Sequence, residues 1–266
     1  MKRVISALVL GSATLYLVLG APFTLGAVAV AVVIFIAARE MNALLEAAGA
    51  NVGRRSVMAA SVVVLAGSFL GGGRGLSLGL AGGTVIVFAG ALGADSVKGL
   101  TRQVTAGLTT LLIPVWCLAH MILYLATRDG RFSLLFLLLC VWACDSAAYY
   151  AGRAYGHRKL APLISPNKTV VGSVAGMAGG VVTGLVLRAL SLVTWPVGFV
   201  LLSGLFISVL AQLGDLAESM VKRDASVKDS GTLIPGHGGI LDRTDALLFT
   251  VPVFHYVLTW LSGTMP

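Results

Sequence analysis

Apolar residues in this chain come in long unbroken runs, without the period-two alternation of a half-buried strand. Runs of roughly 20 apolar residues are long enough to cross a ~30 Å hydrocarbon layer as helices. Nine are predicted, at about 4–20, 23–38, 57–70, 76–93, 106–126, 132–151, 170–190, 197–217 and 246–262. The third is short, as a tilted, re-entrant or thin-spanning segment would be. Continuous runs argue against a transmembrane β-barrel, whose strands alternate. The expected fold class is all-α: a polytopic integral membrane protein with about nine transmembrane helices. The first run, MKRVISALVLGSATLYLVLGAPF, has the basic start and apolar middle of a signal peptide. Another apolar span follows it directly, so it reads as the first membrane helix.

Composition agrees. The 266 residues are 57% hydrophobic and 11% charged, against about 45–50% and about 25% in soluble domains. Mean hydropathy is +0.94, which excludes an ordinary soluble domain. With the N-terminus in the cytoplasm, 15 of the 19 Lys and Arg residues fall on cytoplasmic ends and loops. Only Arg74, Arg128, Arg131 and Arg188 fall outside. That asymmetry obeys the positive-inside rule and points to a multi-pass protein of the cytoplasmic (inner) membrane. Basic loops beside anionic lipid account for the net charge of +8, so no nucleic-acid partner is implied. Cys117, Cys140 and Cys144 all lie in predicted spans, without the His or Cys partners of a metal site. They read as small packing residues.

The two halves differ. Residues 1–130 have short loops and read as membrane helices for packing or dimerisation. Seven of the 11 carboxylates lie between Asp145 and Asp245, so residues 131–266 read as a catalytic membrane domain with cytoplasmic loops 152–169 and 218–245. GGGRGLSLGLAGG (residues 71–83) lacks the GK[ST] ending of a phosphate-binding loop and falls on the outer side. A turn with close helix packing explains it better. Gly172, Gly176, Gly180 and Gly184 form a four-residue stripe that lets another helix approach closely, here within the protomer.

The charged residues suggest chemistry. Asp145 sits near the cytoplasmic end of a span, where a carboxylate needs a cation, a metal or water. It shares a helix face with Tyr149, Gly152 and Arg153. In HRKLAPLISPNKTVVGS, Lys168 and Ser165 are candidates to bind phosphate. Asp215, Glu218, Ser219, Lys222 and Arg223 follow at i, i+3, i+4, i+7 and i+8, deep carboxylates before shallow cations. An ordinary Glu218–Lys222 surface pair is the competing explanation. In KDSGTLIPGHGGILDRTD, glycines around His237 would let backbone N–H groups form an anion-binding nest. Lys228 and Arg243 supply countercharge, and Asp229 is a further candidate. Asp242 and Asp245 face one way if helical and, with Asp215, are suited to Mg²⁺, which takes a few carboxylates plus substrate phosphates. The chemistry these residues suit is a polyphosphate with a divalent cation, handled at the cytoplasmic membrane surface.

Ser219–Asp245, read S-M-V-K-R-D-A-S-V-K-D-S-G-T-L-I-P-G-H-G-G-I-L-D-R-T-D, closely resembles the signature of the phosphatidate cytidylyltransferase (CDP-diacylglycerol synthase) family. The stretches D-S-A-A-Y-Y-A-G and S-P-N-K-T-V-V-G look like family motifs too. In the second, Asn167 and Val171 depart from the usual S-P-K-K-T-x-E-G. The resemblance covers roughly residues 139–261. It implies that CTP and phosphatidic acid react to CDP-diacylglycerol and pyrophosphate with Mg²⁺. It also implies paired metals on the aspartates matching Asp215 and Asp242, and a homodimer; Asp145 and Asp245 are further candidates as metal ligands. Phosphate contacts would come from Ser165, Lys168, Ser219, Lys222, Arg223, Gly238, Gly239 and Arg243. Lys228, Asp229 and His237 join the aspartates as catalytic candidates, and a second, monovalent cation is left open. The alternatives are a CTP-dependent polyprenol or lipid kinase and, more distantly, an ion-coupled transporter.

Overall fold

The structure is a computed structural model that describes residues 2–93, 96–233 and 238–261. It is helical, as its apolar runs require. The helices are α1 (Lys2–Leu19), α2 (Phe23–Ala47), α3 (Arg54–Leu92), α4 (Leu100–Thr110), α5 (Cys117–Leu125), α6 (Arg128–Tyr155), α7 (Val170–Ala189), α8 (Val197–Asp224), α9 (Leu241–Thr244) and α10 (Leu247–Leu261). A π-helical turn, Leu111–Trp116, joins α4 to α5 around Pro114. Proline has no N–H to give the ladder, and a wider turn accommodates the loss.

Among the described residues, seven helical stretches are long and apolar enough to cross a membrane. The difference from nine predicted runs has two sources. Helix α1 is not among the seven, and Arg54–Leu92 is a single stretch of 39 residues. That stretch breaks at Gly72 (φ 57°, ψ −139°), a backbone conformation that suits glycine. Gly67 then lies against Gly75, and Gly79 against Val64 of the first arm. The arms therefore fold back on each other, and the runs at 57–70 and 76–93 are these arms. The glycine-rich segment 71–83 is a turn and a packing seam.

Arg131, at the start of α6, ties three elements together. Its guanidinium donates to the carbonyls of Val18 (3.2 Å), Ala21 (2.8 Å) and Leu125 (3.1 Å). These carbonyls at or just beyond helix C-termini have no partner within their own helix. Buried apolar residues line both α5 and α6, with Leu118, Ile122, Leu134, Leu137 and Cys140 at 0–1% exposure.

Loop 152–169 is not irregular. Lys159–Ala161 (β1) pairs antiparallel with Ser165–Thr169 (β2), with Lys159 opposite Thr169 and Ala161 opposite Ser165. Thr169 then caps α7, its Oγ1 accepting the Gly172 amide at 3.1 Å. The glycine stripe faces the interior as expected, and Gly172, Gly176, Gly180 and Gly184 are all buried. Gly176 packs on Cys144 of α6, and Gly180 on Gly204 and Ser208 of α8. A Cβ at Gly172 would stand 2.7 Å from the Ala148 carbonyl, a backbone atom that cannot rotate away. Gly172→Val is expected to cost about 1–3 kcal/mol of stability through overpacking, read by thermal unfolding in detergent. An unchanged unfolding curve would mean that the α6–α7 seam yields freely.

Candidate functional site

The ends of α6, α7 and α8 and the β1–β2 hairpin enclose a cavity of about 580 Å³. The helical face predicted on α6 lines it, from Asp145 through Tyr149 and Gly152 to Arg153. Arg153 donates to the Tyr149 hydroxyl at 3.3 Å. Helix α8 brings Asp215, and β2 brings Lys168, whose ammonium group stands 2.7 Å from the Asp215 carboxylate. Ser219, one turn along α8, donates to the other Asp215 oxygen at 3.3 Å. Asp145, Lys168, Asp215 and Ser219 thus meet, although α6, β2 and α8 are far apart in sequence. Lys159, Ser173 and Gln212 also line the cavity, and sequence reasoning did not single them out.

Like charges gather here. Asp145 is under the field of Asp215, with Lys168 and Arg243 in range as countercharges. Asp245, at the junction of α9 and α10, feels Asp215, Glu218 and Asp145. Among the described residues, no group of three or more His, Cys, Asp or Glu is arranged to hold a metal ion by itself. Carboxylates are the donor type Mg²⁺ takes, one or two at a time, with phosphate and water completing its shell.

A second cluster is drier. Lys222 lies between two carboxylates, in an ion pair with Glu218 and 2.7 Å from Asp242 Oδ1. The Asp242 Oδ2 atom accepts the Ser230 amide (2.9 Å), the Ser230 hydroxyl (3.0 Å) and the Gly239 amide (2.7 Å). The motif glycines make room for these contacts. Gly238 has φ +78°, and a Cβ there would stand 2.5 Å from Asp242 Oδ2. A Cβ on Gly239 would strike Ser230 and Glu40. The Gly239 N–H, read from sequence as part of a phosphate nest, is directed here at the chain's own carboxylate.

Glu40, near the end of α2, was not among the expected residues. Its carboxylate accepts the Ser230 hydroxyl (2.9 Å) and the amides of Ile240 (3.0 Å) and Leu241 (2.7 Å). In the sequence it is one charge of an Arg39–Glu40 pair at the end of a span, like any flanking charge. Arg223 faces away from Lys222, donating to Ile164 (3.2 Å) and Val227 (3.0 Å) carbonyls, and so holds the turn of the β1–β2 hairpin. Ser165 lies in that hairpin, opposite Ala161. Lys228 and Asp229 are exposed. His237 lies outside the described residues.

Residues 1–261 match a family model described as the cytidylyltransferase family. That match takes in the N-terminal half as well as the region 139–261 that carries the motifs. A phosphatidate cytidylyltransferase of Brucella suis is 37% identical over 253 residues, 92% of this chain and 88% of that protein. Those of Bacillus subtilis and Haemophilus influenzae are 44% and 47% identical over 133 and 139 residues. These two matches cover about half of each chain: 50% and 48% of this one, 49% and 46% of the relatives.

Proposed function

The chain belongs to the cytidylyltransferase family, and on that premise we propose that it transfers the cytidylyl group of CTP to phosphatidic acid, giving CDP-diacylglycerol and pyrophosphate. The observation that carries the reading is the cavity where Asp145, Lys168 and Asp215 meet at one end of a membrane bundle. One substrate would come from the water and the other from the bilayer, and such a position serves both. The site and the N-terminus would face the cytoplasm, in the inner membrane.

In this reading an ionised oxygen of the lipid phosphate attacks the α-phosphorus of CTP. The bond from that phosphorus to the β-phosphate breaks, and pyrophosphate leaves with the electron pair. The nucleophile already carries negative charge, so no strong base is required, and catalysis rests on positioning and charge neutralisation. Lys168, Arg153 and Lys159 would hold phosphate oxygens along the cavity wall, with Arg243 adding positive charge. The residues that would hold Mg²⁺ are Asp215 and Asp242, with Asp145 and Asp245 deepening the negative field. The bound ion would neutralise the triphosphate. Lys222 and Arg223 act on substrate indirectly, by fixing Asp242 and the β1–β2 hairpin. A homodimer belongs to the same proposal and is checked by mass measurement in detergent.

The test is product identity. Purified protein in mixed micelles with phosphatidic acid, CTP and Mg²⁺ is expected to release pyrophosphate only when all three are present. Release of CDP instead would identify a lipid kinase. Neither product from folded protein would remove the catalytic reading.

A further inference from the structure

We infer that Glu40, carried on α2 far from the signature residues, is a positioning residue for Asp242. Three observations carry this. Glu40 binds the amides of Ile240 and Leu241, the backbone that leads directly into Asp242. It shares the Ser230 hydroxyl with Asp242, whose own amide reaches the same oxygen at 3.3 Å. And the chain around it is cut to fit: Cβ atoms on Gly231 or Gly239 would collide with the Glu40 carboxylate, the first at 2.6 Å.

Ser230 has one hydroxyl proton for two acceptors. With that proton on Glu40, Asp242 Oδ2 keeps the Ser230 and Gly239 amides while Oδ1 faces Lys222. Glu40 therefore fixes which edge of the Asp242 carboxylate is committed to backbone and which is presented elsewhere. The inference rests on the proposed function only where turnover is read; the hydrogen-bond tie itself is independent of it.

The experiment uses the full chain with Glu40→Gln and Glu40→Asp. Glutamine keeps the shape but turns one acceptor into an N–H donor against the amide of Ile240 or of Leu241. Removing such a supporting partner is expected to lower kcat by about 10–100-fold, with KM for CTP almost unchanged. Glu40→Asp, still an acceptor, recovers part of the rate. Hydrogen exchange of ligand-free protein is the second readout. Amides 239–241 are expected to exchange about ten-fold faster in Glu40→Gln, the mark of local opening, while the α6–α7 amides do not change. Faster exchange with wild-type kcat would overturn the positioning role. Unchanged exchange would overturn the tie itself. If wild type releases no pyrophosphate, the functional reading fails, and exchange still decides whether Glu40 holds the segment.

Discussion

Lys222→Met is expected to destabilise the protein by about 3–5 kcal/mol, the usual cost of removing one partner from a buried ion cluster. Lys222 has a side chain only 10% exposed, and the Glu218 side chain beside it is fully buried. The two carboxylates would respond differently. Asp242 keeps the amides of Ser230 and Gly239 as donors, with the Ser230 hydroxyl shared between it and Glu40. Glu218 is buried against Lys222 and Asp242, with the lysine as its counter-ion. The lost stability therefore traces mainly to Glu218. The double variant Lys222→Met/Glu218→Gln should recover more than half of the loss, because it removes the charge together with its counter-ion. Unfolding in detergent for the wild type and both variants checks this. A single variant within about 1 kcal/mol of wild type would place the pair in contact with water, where such bridges contribute little. A double variant no better than the single one would shift the cost to Asp242.

Sequence carried the spans well because a membrane helix satisfies its own backbone hydrogen bonds and needs only length and apolarity. The hairpin inside Arg54–Leu92 was readable for the same reason, since two apolar runs flank a glycine-rich turn. Helical spacing also linked Asp215 to Ser219 and placed Tyr149 and Arg153 beside Asp145. What spacing cannot give is the partner of a side chain on another element. Glu218–Lys222 could be taken for an exposed pair, and only the approach of Asp242 from α9 makes it buried. Gly238 and Gly239 suggested a nest for a foreign anion. The structure brings up the anions of the chain itself, Asp242 from three residues onward and Glu40 from α2. Arg223 follows Lys222 in sequence, but one step along a helix turns it about 100°, toward the β1–β2 hairpin. That hairpin was read as loop because its strands are short and their pairing is not encoded by alternation.

Asp215→Asn is expected to lower kcat by about 10³-fold, the scale seen when one preorganised electrostatic group is removed, while leaving the fold intact or slightly more stable. The two signs differ for a physical reason. Asp215 lies in range of Asp145 and Asp245, so neutralising it relieves repulsion among carboxylates. It also loses the 2.7 Å pair with Lys168, but that lysine remains in range of Asp145 and keeps a countercharge. A residue retained for packing would lose stability and activity together. One retained for binding charge can lose activity while stability holds or rises. Pyrophosphate release and thermal unfolding, measured on the same preparation, separate the two. If Asp215→Asn unfolds early and its residual rate matches the folded fraction, Asp215 is a structural partner of Lys168, and the cation site must be sought around Asp145 and Asp245. If it folds normally and turns over at the wild-type rate, the cavity between α6 and α8 is not where the phosphates react.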